Sequence, residues 1–329
     1  MNNRYLAKQY VSTFMINSKS PNTCLGNAKK DIWKLFYTNL NTRNTNGCLA
    51  YLTELITSGY LEKLVQDTLN YYIDNINITC PQALLFIYPF YKYWNRIDVS
   101  VKKKHTINLV NDQIIRNWLF FFTTLVTTCN TNKLFKMPKI EQLDFDMKRQ
   151  KQGLVSKNLN IVQHFLLKDD PKDIIIALSE ICQYISNSQL QMREQKIIYW
   201  YSWIASYEKH IHKGTMVVGY RDIPGVEMRF KRDFVWIIWD IVKYHSNESN
   251  KKLVYILFYM YCSSFTKGNK RSRSNLLFFA IYLITNPFPK IEYPIKPIDE
   301  TQYKLSVLNS LQCNQYFLKL FQQMVLIKK

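Results

Sequence analysis

Glycine is scarce in this chain: 8 of 329 residues, beside 10 prolines. A doubly wound α/β enzyme of this length uses more glycine in its turns and phosphate loops, so that class is a poor fit. The motifs that go with such enzymes are missing too. No GxxxxGK[ST] loop, GxGxxG fingerprint, GxSxG elbow or HExxH helix occurs. P-loop hydrolysis, dinucleotide binding, serine-hydrolase and zincin chemistry therefore have no local signature. Cysteine is sparse: Cys24, Cys48, Cys80, Cys129, Cys182, Cys262 and Cys313 are scattered, odd in number and without a CxxC pair. That argues against a secreted disulfide scaffold and points to a reducing compartment. No apolar run reaches the roughly 18 residues a membrane span needs. The opening residues, Met1 to Tyr10, lack an apolar signal core. None of the five histidines is followed by arginine three residues later. That removes the HxxR element of tyrosine recombinases and type IB topoisomerases.

Positive charge is abundant. Lys and Arg number 44 against 24 Asp and Glu, a formal net charge of +20. Residues 1–150 carry 19 basic and 10 acidic residues and residues 151–329 carry 25 and 14, so the charge is not a detachable tail. Charge on a folded body favours a polyanionic partner, because neutralising phosphates releases condensed counterions. The candidate phosphate contacts are Lys102, Lys103 and Lys104; Arg229, Lys231 and Arg232; and Lys267, Lys270, Arg271 and Arg273. A further run covers Lys148 to Lys151. The Lys267–Arg273 run adds serine hydroxyls and an asparagine amide suited to phosphate oxygens. Trp200, Trp203, Trp236 and Trp239 fall in i, i+3 pairs. Core packing is the expected use of that spacing, rather than base stacking.

Apolar periodicity predicts helices throughout. Trp33, Phe36 and Leu40 share one stripe; Leu49, Leu52 and Ile56 a second; Leu61, Leu64, Val65, Leu69, Tyr72 and Ile73 a third. Pro81 marks a helix start, and Pro89 should bend the helix that follows. Further helices are expected at 108–127, after an Asp170 cap, at 192–211, 232–244, 250–264 and 273–285, and within 302–326. Residues 213–230, punctuated by Gly214, Gly219, Pro224 and Gly225, read as a loop or small hairpin. The polar stretch 133–157 reads as a connector. A weak echo links Asn117–Phe121 with Asn275–Phe279. The expected architecture is all-α: a lobe at 1–150 and a second at 151–329.

Residues 44–97 carry a resemblance. Leu49-Ala50-Tyr51-Leu52, and then Asp74-Asn75-Ile76-Asn77-Ile78-Thr79-Cys80-Pro81-Gln82-Ala83-Leu84, resemble the C-terminal helical region of clamp-loader-clade AAA+ ATPases of the MgsA/RarA type. There an "ALYWLA-L" helix precedes an "EDIGLADP-AL" turn. Ile73 stands where the family has an acidic residue, and Asn77 where it has glycine. The resemblance covers about a third of the chain, and the ATPase half has no counterpart. It implies a collar-like lobe that oligomerises or meets DNA-processing partners, and no catalytic residue.

The expected function is therefore non-enzymatic. A basic helical protein binds nucleic acid, DNA rather than RNA, or scaffolds a DNA replication or repair assembly. Replication proteins and a second copy of the chain are expected partners; a membrane, a cofactor and a metal are not. The alternative is a viral structural or interaction protein that binds an acidic partner. The abundance of Asn (28 residues) fits an AT-rich genome such as that of a large DNA virus. The expected location is cytoplasmic or nuclear, or a viral factory or virion.

Overall fold

The computed structural model describes residues 20–104, 107–146, 150, 153–214, 216–263, 265, 270–287, 304, 307–309 and 311–319. At 101, 103, 104, 107, 108 and 270–272 it describes the backbone alone. The fold is all-α. Among the described residues there is no strand, only an isolated antiparallel bridge between Asn22 and Ala28. The chain divides into two compact units: Met1–Asn132 with Glu292–Lys329, and Lys133–Ile291.

The first unit contains α1 (Lys29–Asn41), α2 (Thr45–Thr57), α3 (Leu61–Asn75), α4 (Leu84–Arg96), the short α5 (Val99–Lys104) and α6 (Ile107–Val110), and α7 (Gln113–Thr128). The predicted stripes are buried: Trp33, Phe36 and Leu40 on α1, Leu49, Leu52 and Ile56 on α2, Leu64 to Ile73 on α3. The chain reverses after α2 because Gly59 takes φ +88°. Its N–H reaches Ile56 O and the next N–H reaches Leu55 O, so two terminal carbonyls are satisfied in a Schellman cap. Helix α4 runs on through Pro89, which is exposed. Because Pro89 is exposed, the missing N–H falls on the solvent side of the helix. Helix α7 starts later than its periodicity suggested, because the Asp112 carboxylate accepts the Ile114 and Ile115 N–H groups at 2.8 and 3.1 Å. The core of this unit is an aromatic stack: Phe90 lies 3.7 Å from Trp118 with the rings at 4°, and Trp118 lies 4.7 Å from Phe122.

The second unit holds α8 (Ile175–Ser186), α9 (Arg193–His210), α10 (Val235–Tyr244), α11 (Lys251–Cys262) and α12 (Lys270–Thr285). Trp200, Trp203, Trp236 and Trp239 are all buried in it, as the core reading expected. Among the described residues between α9 and α10 no strand forms, so the hairpin alternative for 213–230 gives way to an extended loop closed by a 3-10 turn at Met228–Phe230.

The expected division at 150 falls instead between 132 and 133, for two physical reasons. The expected connector is part of the second unit. Phe135 packs on Tyr282, Phe145 on Trp203 and Tyr207, and the Trp203 indole N–H donates to Asp144 O at 2.8 Å. The C-terminal helical stretch 311–319 docks on the first unit. There the buried Arg116 donates to Asn314 Oδ1 at 3.1 Å, its guanidinium 4.3 Å from the Phe317 ring, which is itself fully buried. Of the echo, Asn117–Phe121 falls in the first unit and Asn275–Phe279 in the second.

Arg193 braces the second unit. Its guanidinium donates to Tyr184 O at 2.7 Å, Ile185 O at 2.6 Å and Thr285 O at 2.6 Å. One side chain at the start of α9 thus caps the C-terminal carbonyls of both α8 and α12. Arg193→Met keeps the stem and removes all three bonds. A loss of roughly 3 kcal/mol in urea unfolding is expected. A loss below about 1 kcal/mol would show that water replaces the guanidinium.

Candidate nucleic-acid interface

The loop between α9 and α10 carries three of the ten predicted cations, and its conformation follows from one arginine. Its residues alternate, with one step out of phase at Gly219, which is buried directly after Val218. Met216, Val218, Arg221 and Ile223 are buried, while Val217, Tyr220 and Asp222 are exposed. The alternation is that of an extended chain, but no neighbouring strand supplies a ladder. A buried ion pair holds it instead. Arg221 Nη1 and Nη2 reach the two oxygens of Asp170 at 3.0 and 2.7 Å. The same guanidinium donates to Phe165 O at 2.9 Å, Gly219 O at 3.1 Å and Asp240 Oδ2 at 3.2 Å. All five guanidinium N–H groups are thereby used. Asp170 also accepts the N–H groups of Leu167 and Gly219 at 2.7 and 2.8 Å. Residue 219 must be glycine: a Cβ there would lie 2.9 Å from Leu167 Cβ and 3.1 Å from Asp170 Oδ1.

Asp170 therefore has a different role from the expected helix cap. A 3-10 turn at Lys172–Ile174, with Pro171 before it, leads into α8, and the Asp170 carboxylate turns to the loop. Burial alone would raise this carboxyl. The Arg221 pairing and the two backbone N–H groups outweigh burial and hold it below its ordinary value.

The far arm of the loop is tied down as well. The Arg221 N–H donates to Lys231 O at 3.2 Å, and the Trp236 indole N–H to Phe230 O at 2.8 Å. These ties leave Tyr220, Met228, Arg229 and Arg232 exposed. Arg229 meets Glu227 at 2.8 Å, both side chains largely in solvent. Lys231 is half-buried. It meets Asp222 at 2.6 Å and lies 5.6 Å from the Tyr220 ring centre. The Asp222 bond lifts the Lys231 ammonium above its usual value.

The remaining predicted cations are not all on the surface. Lys102 is buried on α5, its ammonium 4.7 Å from the Trp94 ring. Burial pushes its pKa down to about 8, with Glu62 and Asp98 opposing. Its expected phosphate contact is corrected: α5 packs against α3 and turns Lys102 inward. Arg273 is corrected in the same way. It is buried on α12 and donates to Met260 O at 3.3 Å and to Tyr261 O, capping the end of α11. The backbones of Lys103, Lys104, Lys270 and Arg271 are helical, and their side chains lie outside the description. Lys267, the Lys148–Arg149 pair and Lys151 lie outside the described residues altogether.

Two features escaped sequence reasoning. Lys30 and Lys34, one turn apart on α1, are exposed, and their i, i+4 spacing was legible. A cleft of about 420 Å³ in the first unit is lined by Phe86, Gln113, Asn117, Trp118, Leu311 and Asn314, among others. Nothing in local sequence joins residues this far apart. Among the described residues no three His, Cys, Asp or Glu side chains converge as a metal site, and no helix is long and apolar enough to cross a membrane.

The fold and this surface define a basic all-α protein with a clamped cationic loop. No family model matches the chain, and no curated protein and no solved structure matches it either.

The sign of the Asp170 effect sets a pH window. A carboxylate whose pKa falls on folding stabilises the fold above its unfolded value, about 3.9. That stabilisation is lost as pH drops through the lower folded value. Acid unfolding that begins below about pH 4 is expected of the wild type. Asp170→Asn should be less stable at pH 7 and lose less between pH 5 and pH 2. Arg221→Met, which strands a buried carboxylate, should cost about 3–5 kcal/mol at pH 7. Tryptophan fluorescence during urea unfolding at each pH reads all three. Parallel losses in wild type and Asp170→Asn would remove the ion pair from this role.

Proposed function

We propose that this chain is a non-enzymatic, basic helical protein that binds nucleic acid through phosphate neutralisation, as a DNA-binding or scaffolding part of a replication or repair assembly. The observation that carries the reading is where the charges lie. Several acids are occupied inside the protein. Glu54 accepts from Thr23 and Asn27, Glu180 from Val155 and Ser156, and Asp170 and Asp240 hold Arg221. Exposed lysines and arginines on both units, Lys30, Lys34, Lys168, Lys172, Lys196, Lys209 and Arg232 among them, have far fewer acids to face. Such a surface attracts phosphate by counterion release, without regard to base sequence.

The resemblance to the clamp-loader collar adds a replication setting. Asn77, where that family has glycine, holds φ +36°, a backbone region that asparagine tolerates better than most residues. A large DNA virus as source, and a viral factory, nucleus or cytoplasm as location, belong to the same proposal.

The second reading, an interaction protein for an acidic partner, is favoured by one feature. The clamped loop shows Met228 (77% exposed) next to Arg229, and Val217 (61%) on the same loop. Apolar side chains next to cations suit a protein surface better than a phosphate backbone.

Fluorescence anisotropy with a labelled DNA duplex and a matched RNA decides between them. Binding at about 50 mM salt that weakens by orders of magnitude at about 200 mM is expected. Replacing Arg229 and Arg232 by Ala should reduce the slope of log K against log salt by about 2 if each meets a phosphate. Lys102→Met should leave the slope unchanged, because that ammonium is buried. No binding to either probe at low salt would reject the nucleic-acid reading in favour of the acidic protein partner.

A further inference from the structure

We infer that Cys80 and Cys129, 49 positions apart in sequence, form a peroxide-sensitive dithiol in the first unit that closes to an intramolecular disulfide. This rests on geometry that the nucleic-acid reading does not use. Cys80 lies between two 3-10 turns, Asn77–Thr79 and Pro81–Ala83, just before α4. Cys129 is the residue at which α7 ends. The segments on either side of the two sulfurs are laced together. The Thr79 hydroxyl donates to Asn130 O at 2.6 Å, one residue from each cysteine. The Asn132 N–H donates to Asn75 O at 2.5 Å, and the Asn132 amide donates to Asn77 Oδ1 at 3.0 Å. The Asn77 amide donates back to Asn132 O. Asn77 holds a left-handed turn that brings Cys80 round to the end of α7.

The two thiols lie close enough to act on each other's titration. The neighbouring Cys129 thiol, with the Ala83 N–H, lowers Cys80 against the upward push of burial, while Cys129 is raised. Burial pushes Cys48, Cys182, Cys262 and Cys313 upward, so Cys80 stands apart from them. Cys80 and Cys129 are 5% and 7% exposed, a narrow access that suits a small oxidant.

The chemistry balances with hydrogen peroxide as the oxidant. The Cys80 thiolate attacks one peroxide oxygen. An S–O bond forms, the O–O bond breaks, and hydroxide leaves to become water on taking a proton. The product is a sulfenic acid on Cys80. Cys129 then gives its proton to water, and its sulfur attacks Cys80. The S–S bond forms as the S–O bond breaks, releasing a second hydroxide that is likewise protonated. Two thiols lose two hydrogens, and one peroxide becomes two waters. The bond would fasten the start of α4 to the end of α7, next to the aromatic stack of Phe90, Trp118 and Phe122.

The full-length folded protein is treated with stoichiometric hydrogen peroxide at neutral pH, quenched with catalase, alkylated in denaturant and digested without reduction. One cross-linked peptide pair joining Cys80 to Cys129 is expected, lighter by two hydrogens and abolished by dithiothreitol. Cys48, Cys182 and Cys262 should remain alkylated. In Cys129→Ser the sulfenic acid should persist on Cys80 and be trapped by dimedone; in Cys80→Ser no such adduct should form at Cys129. Circular dichroism confirms that each variant is folded. The wild-type cross-link needs no variant, so a folding failure leaves the test intact. Seven alkylated cysteines after treatment, or oxidation confined to other cysteines, would overturn the assignment. Equal dimedone labelling of Cys129 in Cys80→Ser would overturn the division of roles.

Discussion

A helix ends in carbonyl oxygens that have no donor within the helix, and a chain with 8 glycines has few left-handed caps with which to cover them. In this protein arginine takes over much of that work. Arg193 covers the ends of α8 and α12, Arg273 the end of α11, and Arg221 the last carbonyl of the 3-10 turn at Leu159–Phe165. Arg116 does the same for Val110 at the end of α6, at 3.5 Å, and for the asparagine amides beside it. A guanidinium suits the task because five N–H donors in one plane reach carbonyls on separate elements at once. The cation also lies at the negative end of the helix dipole. Packed helices and tethered loops in both units depend on these brackets.

The same brackets change what the net charge means. A count of basic residues treats Lys102, Arg116, Arg273 and Arg221 as surface charge, and all four are buried. Buried acids offset them: Glu54 and Glu180 accept from neutral donors, and Asp170 is locked to Arg221. The surface excess therefore rests on exposed lysines and a few arginines. A lysine ammonium is a compact, strongly hydrated point charge, which attracts phosphate without the fixed geometry of a fork. On the proposed reading, a body of this kind would be steered to polyanions over long range and hold them without fixed register.

The helices were legible because burial and period coincide: Trp33, Phe36 and Leu40 are three apolar residues that face one core. The reversal after α2 has a local cause, because glycine at 59 passes easily into the left-handed region. The division at 132 was not legible, since it depends on Asp144 and Phe145 meeting Trp203 about sixty residues away. Asp170 read as a cap because Asp-Pro-x-Asp is a common helix start. Its true partner, Arg221, is fifty-one residues on and carries no local mark. The cysteine pair was illegible for the same reason, as CxxC spacing reports only local pairs. Lys102 and Arg273 show the general limit. A run of cations looks solvated in sequence, yet a helix turns every third or fourth residue inward, and one member of each run faces the core.

Those distinctions bear on how the clamped loop would hold a phosphate. Arg221 has five satisfied donors and a desolvated partner, so it is unavailable to a ligand, and stranding its carboxylate would cost several kcal/mol. Arg229 is the opposite case. Its pair with Glu227 is solvent-exposed on both sides, contributes about 0–1 kcal/mol, and is screened by salt. A phosphate oxygen can displace that carboxylate at small cost. The loop around it was ordered on folding by Arg221 and Trp236, so little conformational entropy is left to lose on binding. On the proposed reading, one buried arginine thus makes two exposed ones useful: it fixes the backbone that carries Arg229 and Arg232 and would take no part in the contact itself.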